Sequence, residues 1–173
     1  MRTGRAVGVR AVLVVAVVLV AQATLMADLR VAGSLGDLVL VLVVAAGLTG
    51  GPDRGATYGF AAGLAYDLLL DTPFGLSPLV YAMIGFVVGL VGMALLRTSG
   101  WWPVAIAAAA GFAQAVLYTA FGNLLGVAYR FADVPAIGLV QAAWAAVLIL
   151  PALKVMWWVH GHSEPDRLEV LLR

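Results

Sequence analysis

One uninterrupted apolar stretch decides the fold of this chain, and it reads LSPLVYAMIGFVVGLVGMALL over residues 76–96. It contains no charged residue, and about 20 apolar residues in a helix are enough to cross the hydrocarbon core of a bilayer. Turn-forming sequences border it, at residues 71–75 on one side and 99–100 on the other. The stretch therefore predicts a transmembrane helix with defined ends.

The composition extends this prediction to the whole chain. Of its 173 residues, 64% are hydrophobic and only 11% are charged, and the mean hydropathy is +1.05. Soluble domains are about 45–50% apolar and about 25% charged. Lipid must therefore be the solvent for most side chains. The net charge of +1 gives no basic character suited to nucleic acid, and the absence of cysteine excludes disulfides and thiolate metal sites.

Charged residues and turn sequences divide the chain into six predicted helices in one membrane domain. They cover residues 9–26, 37–50, 55–70, 76–96, 103–125 and 136–158, with a short cytoplasmic tail at 159–173. The second helix is short for a span, and if it did not cross, every later loop would change sides. The first also resembles a signal peptide, but its uncharged part at 11–27 is long enough to span, so we expect an uncleaved helix.

The distribution of basic residues predicts the orientation. With six spans and a cytoplasmic N-terminus, eight basic residues fall inside: Arg2, Arg5, Arg10, Arg54, Arg97, Lys154, Arg167 and Arg173. Only Arg30 and Arg130 fall outside. Because Lys and Arg are concentrated on the cytoplasmic side of membrane proteins, we expect both termini in the cytoplasm of a bacterial inner membrane protein.

The third and fourth predicted helices carry small residues on one face. Gly55, Gly59 and Gly63 recur every four residues and are followed by Asp67, while Gly85 and Gly89 form a similar face on the next helix. Glycine at this spacing lets another helix approach closely, either within the chain or from a partner. Asp67 lies near the outer end of its helix, where it caps the amides that begin the fourth helix or contacts a ligand or partner.

The remaining polar side chains at membrane depth form a possible pocket rather than a catalytic site. Tyr66, Gln114, Tyr118 and Asn123 are its members, although interhelical hydrogen bonds explain most residues of this kind. The sequence contains no phosphate-binding loop, no zinc-protease motif and no serine in a nucleophile elbow. We expect no enzyme activity, metal or cofactor.

The segment from Gly55 to Gly85 resembles the rod shape-determining protein MreD family. The resemblance rests on the glycine-rich helix with Gly59 and Gly63, on Asp67-Leu68, on the turn Pro73-Phe74-Gly75-Leu76, and on Gly85-Phe86 in the following helix. Pro78 departs from the family pattern. The signature covers about 30 residues, and the size and short loops of the rest of the chain agree with it.

The resemblance implies a role in bacterial cell-wall elongation. It implies a compact six-helix bundle similar to the substrate-binding subunit of energy-coupling-factor transporters. It also implies MreC, RodA, a class B penicillin-binding protein and MreB as partners, beside membrane lipids. The function expected is a non-catalytic scaffold that docks MreC and the wall synthases by helix packing. The alternative is a solute-binding membrane subunit of a vitamin-type transporter.

Overall fold

The structure is a computed structural model that describes residues 2–28, 36–69, 74–95 and 100–160. Within these ranges the chain forms six α-helices, one 3-10 helix at Phe131–Asp133 and no strand. The α-helices are α1 (Arg2–Asp28), α2 (Leu38–Gly50), α3 (Pro52–Leu69), α4 (Leu76–Leu95), α5 (Trp102–Leu124) and α6 (Val134–His160). The predicted all-helical fold is confirmed for this part of the chain.

Four helices begin earlier than the charge pattern predicted, and for α5 the difference is the single residue Trp102. α1 begins at Arg2 instead of residue 9, because arginine is a good helix former and a helix can continue into the headgroup region. α3 begins at Pro52 instead of residue 55, because proline is favoured at the first helical position. α6 begins at Val134 and extends to His160. Charged residues mark the edge of the hydrocarbon core, and a helix can extend beyond that edge.

Helix α2 is the centre of the bundle. Every residue from Val39 to Leu48 is buried, and the helix contacts each of the other five. A helix that is apolar all round is a buried helix. At 13 residues it is about 20 Å long, which is shorter than the roughly 30 Å hydrocarbon core. Its short length fits a helix surrounded by its own chain.

Among the described residues, four helices are long and apolar enough to cross a membrane, judged by length and composition. The qualifying segments are Val7–Thr24, Leu76–Ala94, Trp102–Leu124 and Phe131–His160. Helix α2 is shorter, and α3 carries Asp53, Arg54 and Asp67. The fold is thus that of a multi-pass membrane protein, while the crossing of all six helices stays a prediction.

A turn at Gly51 joins α2 to α3 and fixes how these two helices pack. Gly51 ends α2 at φ +81°, where its N–H donates to the Gly47 carbonyl at 2.9 Å, and Pro52 starts α3 at once. Pro78, the residue that departs from the pattern described above, lies in the first turn of α4, where a proline costs no intrahelical hydrogen bond. α3 and α4 then form the most extensive helix pair of the described chain, followed by α5 and α6.

Candidate functional site

A buried polar cluster surrounds Asp37 at the start of α2. The side chain of Asp37 is only 5% exposed, and it caps the helix by accepting a hydrogen bond from the Leu40 N–H at 2.8 Å. The Tyr81 hydroxyl of α4 and the Gln114 amide of α5 also donate to this carboxyl group, each at 2.5 Å. One acidic side chain thus joins α2, α4 and α5 in the interior of the bundle.

A second set of contacts extends the cluster to α1. The Gln22 amide of α1 donates to the Gly36 carbonyl at 3.0 Å and accepts from the Leu38 N–H at 2.8 Å. It thereby holds the chain on both sides of Asp37. Gln22 is itself buried, so these bonds replace those it would make with water. The start of α2 is therefore fixed by side chains from three other helices.

The residues of the predicted pocket are only partly brought together. Tyr66 lies edge-on to Tyr81 with ring centroids 6.1 Å apart, and Gln114 lies on Asp37. Tyr118 makes a hydrogen bond with Ser77 of α4. Asn123 lies apart at the end of α5, where its amide donates to the Thr119 and Tyr129 carbonyls at 2.8 and 3.0 Å.

Asp67 lies in the last turn of α3, close to the start of α4. Its carboxyl group accepts a hydrogen bond from the Gly75 N–H at 2.7 Å, directly before α4. Gly75 has φ +95°, a conformation in which glycine is favoured. Asp67 therefore spans the turn between α3 and α4 as a cap. Pro73 of the same predicted turn lies outside the described residues.

Asp37 is the member of the site that the sequence analysis missed. It was used there only to mark the start of a span, while Gln114 was assigned to a pocket with Tyr66, Tyr118 and Asn123. An Asp directly before an apolar run is an N-cap pattern, and this signal was present in Asp37-Leu38-Val39-Leu40. Its burial was not predictable, because the sequence does not show that α2 is surrounded by other helices.

The glycine faces of α3 and α4 are used within the chain. A Cβ atom added to Gly63 would lie 2.6 Å from the Pro78 Cα, and Cβ atoms on Gly55 and Gly59 would clash with the backbone of Gly85 and Tyr81. Gly85 faces Gly55 in return, and Gly89 faces the Gly51–Pro52 turn. These glycines were predicted to pack against a helix of the same chain or of a partner, and the structure shows packing within the chain. In this conformation they leave no free face for a partner.

An unfilled groove lies between α4 and α5. It has a volume of about 270 Å³ and is lined by apolar side chains: Met83, Ile84, Val87, Val88, Val91, Ile106, Ala109, Ala110, Ala113 and Leu117. A second groove, along α6, is lined by residues that include Leu139, Ala143 and Val147. Both grooves lie at membrane depth, where lipid or another helix is the available neighbour.

The chemistry of the site is that of a helix-fastening cluster. The Leu40 N–H, the Tyr81 hydroxyl and the Gln114 amide all donate to Asp37, and the positive end of the α2 dipole favours its negative charge. Two buried side-chain oxygens of the described chain, Gln114 Oε1 and Gln141 Oε1, have no hydrogen-bond partner. Within the same ranges, no three His, Cys, Asp or Glu side chains meet as a metal-binding group.

Fold and site together define a multi-pass helical membrane protein whose short central helix is fastened by a buried polar cluster. A comparison with protein families then identifies it more closely: the profile of rod shape-determining protein MreD matches residues 5–159, nearly the whole chain. The chain belongs to the MreD family, as the segment from Gly55 to Gly85 had indicated. No curated protein and no solved structure matches it.

Membership of the family gives the chain a general role. The family acts in rod-shape determination as part of the MreB and MreC system, and it consists of membrane proteins that are not known as enzymes. The assignment to a cell-shape membrane protein is thereby confirmed.

Proposed function

We propose that the chain is a non-catalytic membrane scaffold of the cell-wall elongation machinery, which docks MreC and, through the same complex, RodA and a class B penicillin-binding protein. The family match supports the cellular role. The observation that carries the docking mechanism is the unfilled groove between α4 and α5, since the glycine faces are already occupied within the chain.

The lining of the groove suits a transmembrane helix. Ala109 and Ala113 lie four residues apart on α5, and this small-xxx-small spacing permits close helix approach in lipid. Ile84 and Val88 form a buried floor, while Met83, Val87 and Val91 are exposed along the α4 side. We assign the groove to the single span of MreC, whose apolar side chains would replace lipid there.

Filling the groove tests this docking face. Ala109→Leu and Ala113→Leu should each block the close approach of the MreC helix. We expect co-purification of MreC with the tagged chain to fall by about tenfold, which corresponds to a loss of about 1.4 kcal/mol in binding free energy. Ala143→Leu is the matched control, since Ala143 is an exposed alanine in the middle of α6. Equal MreC recovery with all three variants would reject the α4–α5 groove as the docking site.

We also propose that all six helices cross the inner membrane and that the start of α1 and the end of α6 lie on its cytoplasmic side. Contacts gather the start of α1, the end of α2 and the end of α6 at one end of the bundle, through Arg10 with Trp158 and Thr49 with His160. Arg10, Arg54 and Lys154 belong to this end, and Arg130 belongs to the other. This separation supports the orientation that the positive-inside rule predicts.

A second candidate function is a solute-binding subunit of a vitamin-type transporter, with a fold like that of the substrate-binding subunit of energy-coupling-factor transporters. The observation that favours it is the unpartnered Gln114 Oε1, which lies in a 5% exposed side chain of the polar cluster. A solute that donates a hydrogen bond would satisfy this oxygen. Recovery of an ATPase module with the tagged chain would favour this candidate, and recovery of MreC favours the scaffold.

A further inference from the structure

The end of the bundle that carries the start of α1 has a distinct architecture. Arg10 of α1 donates from Nη1 to the Trp158 carbonyl of α6 at 3.3 Å, and its guanidinium lies 4.9 Å from the centre of the Trp158 ring. His160 lies against Tyr58 of α3, with ring centroids 6.0 Å apart. α1, α3 and α6 therefore meet here in a cluster of basic and aromatic side chains.

The charges at this end are mainly positive. The described side chains there include Arg10, Arg54 and Lys154, with Asp53 as the acidic residue. At the opposite end, Asp37, Asp67 and Asp133 accompany Arg130. The bundle is therefore electrostatically polarised, and its basic end is complementary to an anionic layer.

Trp158 indicates the depth at which Arg10 lies. Trp158 is 57% exposed in the last turn of α6, and tryptophan on the outer surface of a membrane helix marks the headgroup region. Arg10 lies only three residues inside the Val7 edge of the apolar segment of α1. The guanidinium and the exposed indole thus lie beside each other at the boundary between acyl chains and headgroups.

Arg10 has hydrogen-bonding capacity beyond this contact. A guanidinium carries five N–H donors, and the hydrogen bond to the Trp158 carbonyl uses a single nitrogen, Nη1. Arginine binds phosphate through two parallel N–H groups, which a lysine cannot reproduce. A phosphate that approached from the bilayer would therefore find a charged donor already held against an aromatic ring.

We propose that the seam between α1 and α6 at Arg10 and Trp158 binds the headgroup of an anionic phospholipid. The phosphate is bound by the guanidinium, and Trp158 and the adjoining apolar surface of α1 contact the glycerol and the first methylenes. Charge complementarity selects an anionic lipid over a zwitterionic one at this end of the bundle.

The lipid would also fasten α1 to the rest of the protein. Only 11% of the apolar segment of α1 is buried inside the structure, and its contacts with α6 are few. A headgroup held between Arg10 and the end of α6 adds a bridge between these two helices. Anionic lipid should therefore raise the thermal stability of the protein as well as bind to it.

Native mass spectrometry of the full chain with phosphatidylglycerol and phosphatidylcholine tests the proposal. The wild type should retain phosphatidylglycerol preferentially, and Arg10→Gln should lower this preference by about fivefold, the factor expected for one basic residue near a charged bilayer surface. Arg10→Lys should keep part of the preference. Arg130→Gln, at the opposite end, is the matched control and should keep all of it.

Stability measurements separate lipid binding from a purely structural contact. In nanodiscs, added phosphatidylglycerol should raise the Tm of the wild type and of Arg130→Gln but not that of Arg10→Gln, and inorganic phosphate should have no such effect. Raised salt should weaken the wild-type preference. Unchanged phosphatidylglycerol retention in Arg10→Gln, or an equal response of its Tm to the lipid, would overturn the proposal. Displacement of the lipid by inorganic phosphate or an acidic peptide would also overturn it.

Discussion

Asp37 shows how much of this fold depends on one side chain. It is buried beside a helix start, and the hydroxyl of Tyr81 and the amide of Gln114 both donate to it. A buried donor that loses its acceptor costs about 1–3 kcal/mol, because neither lipid nor an apolar core can replace the bond. The residue therefore affects the positions of α2, α4 and α5 together.

Replacement of Asp37 should show this effect directly. Asp37→Ala removes the cap of α2 and leaves two buried donors without an acceptor, so the free energy of unfolding should fall by about 2–4 kcal/mol. Asp37→Asn keeps one acceptor oxygen and should cost less. Thermal unfolding in detergent measures both, with Asp53→Ala as a control at the exposed start of α3. A Tm for Asp37→Ala equal to that of the control would contradict the role assigned to the cluster.

Asp37 and Asp67 also show where sequence analysis succeeds at this scale. The cap formed by Asp67 was predictable, because its partner Gly75 is eight residues away along a short turn. The partners of Asp37 are 44 and 77 residues away, and only the packing of α2 inside the bundle brings them to it. A hydrogen bond between residues close in the sequence can be predicted from the sequence, whereas one between distant residues depends on how the helices pack.

The close packing of α3 against α4 is the part of the fold that was predicted best from the sequence. The four-residue glycine repeat predicted close approach, and the added-Cβ contacts at Gly55, Gly59 and Gly63 show backbone against backbone. The repeat does not show whether the neighbouring helix belongs to the same chain or to a partner protein, because a small-residue face can pack against either. The short loop between the helices decides in favour of the chain itself.

Glycine-to-alanine substitutions test this close approach. Gly59→Ala should lower the free energy of unfolding by about 1–3 kcal/mol, since the new methyl group meets the Tyr81 backbone, which cannot move aside like a side chain. Gly8→Ala is the matched control, because Gly8 is a helical glycine on α1 with no atom within 4 Å of the added Cβ, and it should be neutral or slightly stabilising. Equal thermal stability of the two variants would mean that α3 and α4 are not in backbone contact.

At the scale of the whole molecule, a closely packed interior is combined with an apolar exterior. Its polar cluster and glycine faces hold its own helices together, while large apolar side chains on α1, α4 and α6 are exposed, among them Val12, Val87 and Leu139. In a membrane such a surface contacts lipid or other helices. This division of roles fits a scaffold, in which rigid internal packing presents an outer surface to partners.

The central claim is that this surface assembles the elongation complex, and co-purification from native membranes tests it most directly. The tagged full chain is extracted in mild detergent, and the recovered proteins are identified and quantified by mass spectrometry. The scaffold account predicts MreC as the main specific partner, together with RodA and a class B penicillin-binding protein. Recovery of an ATPase module with a coupling subunit, and none of these proteins, would contradict it.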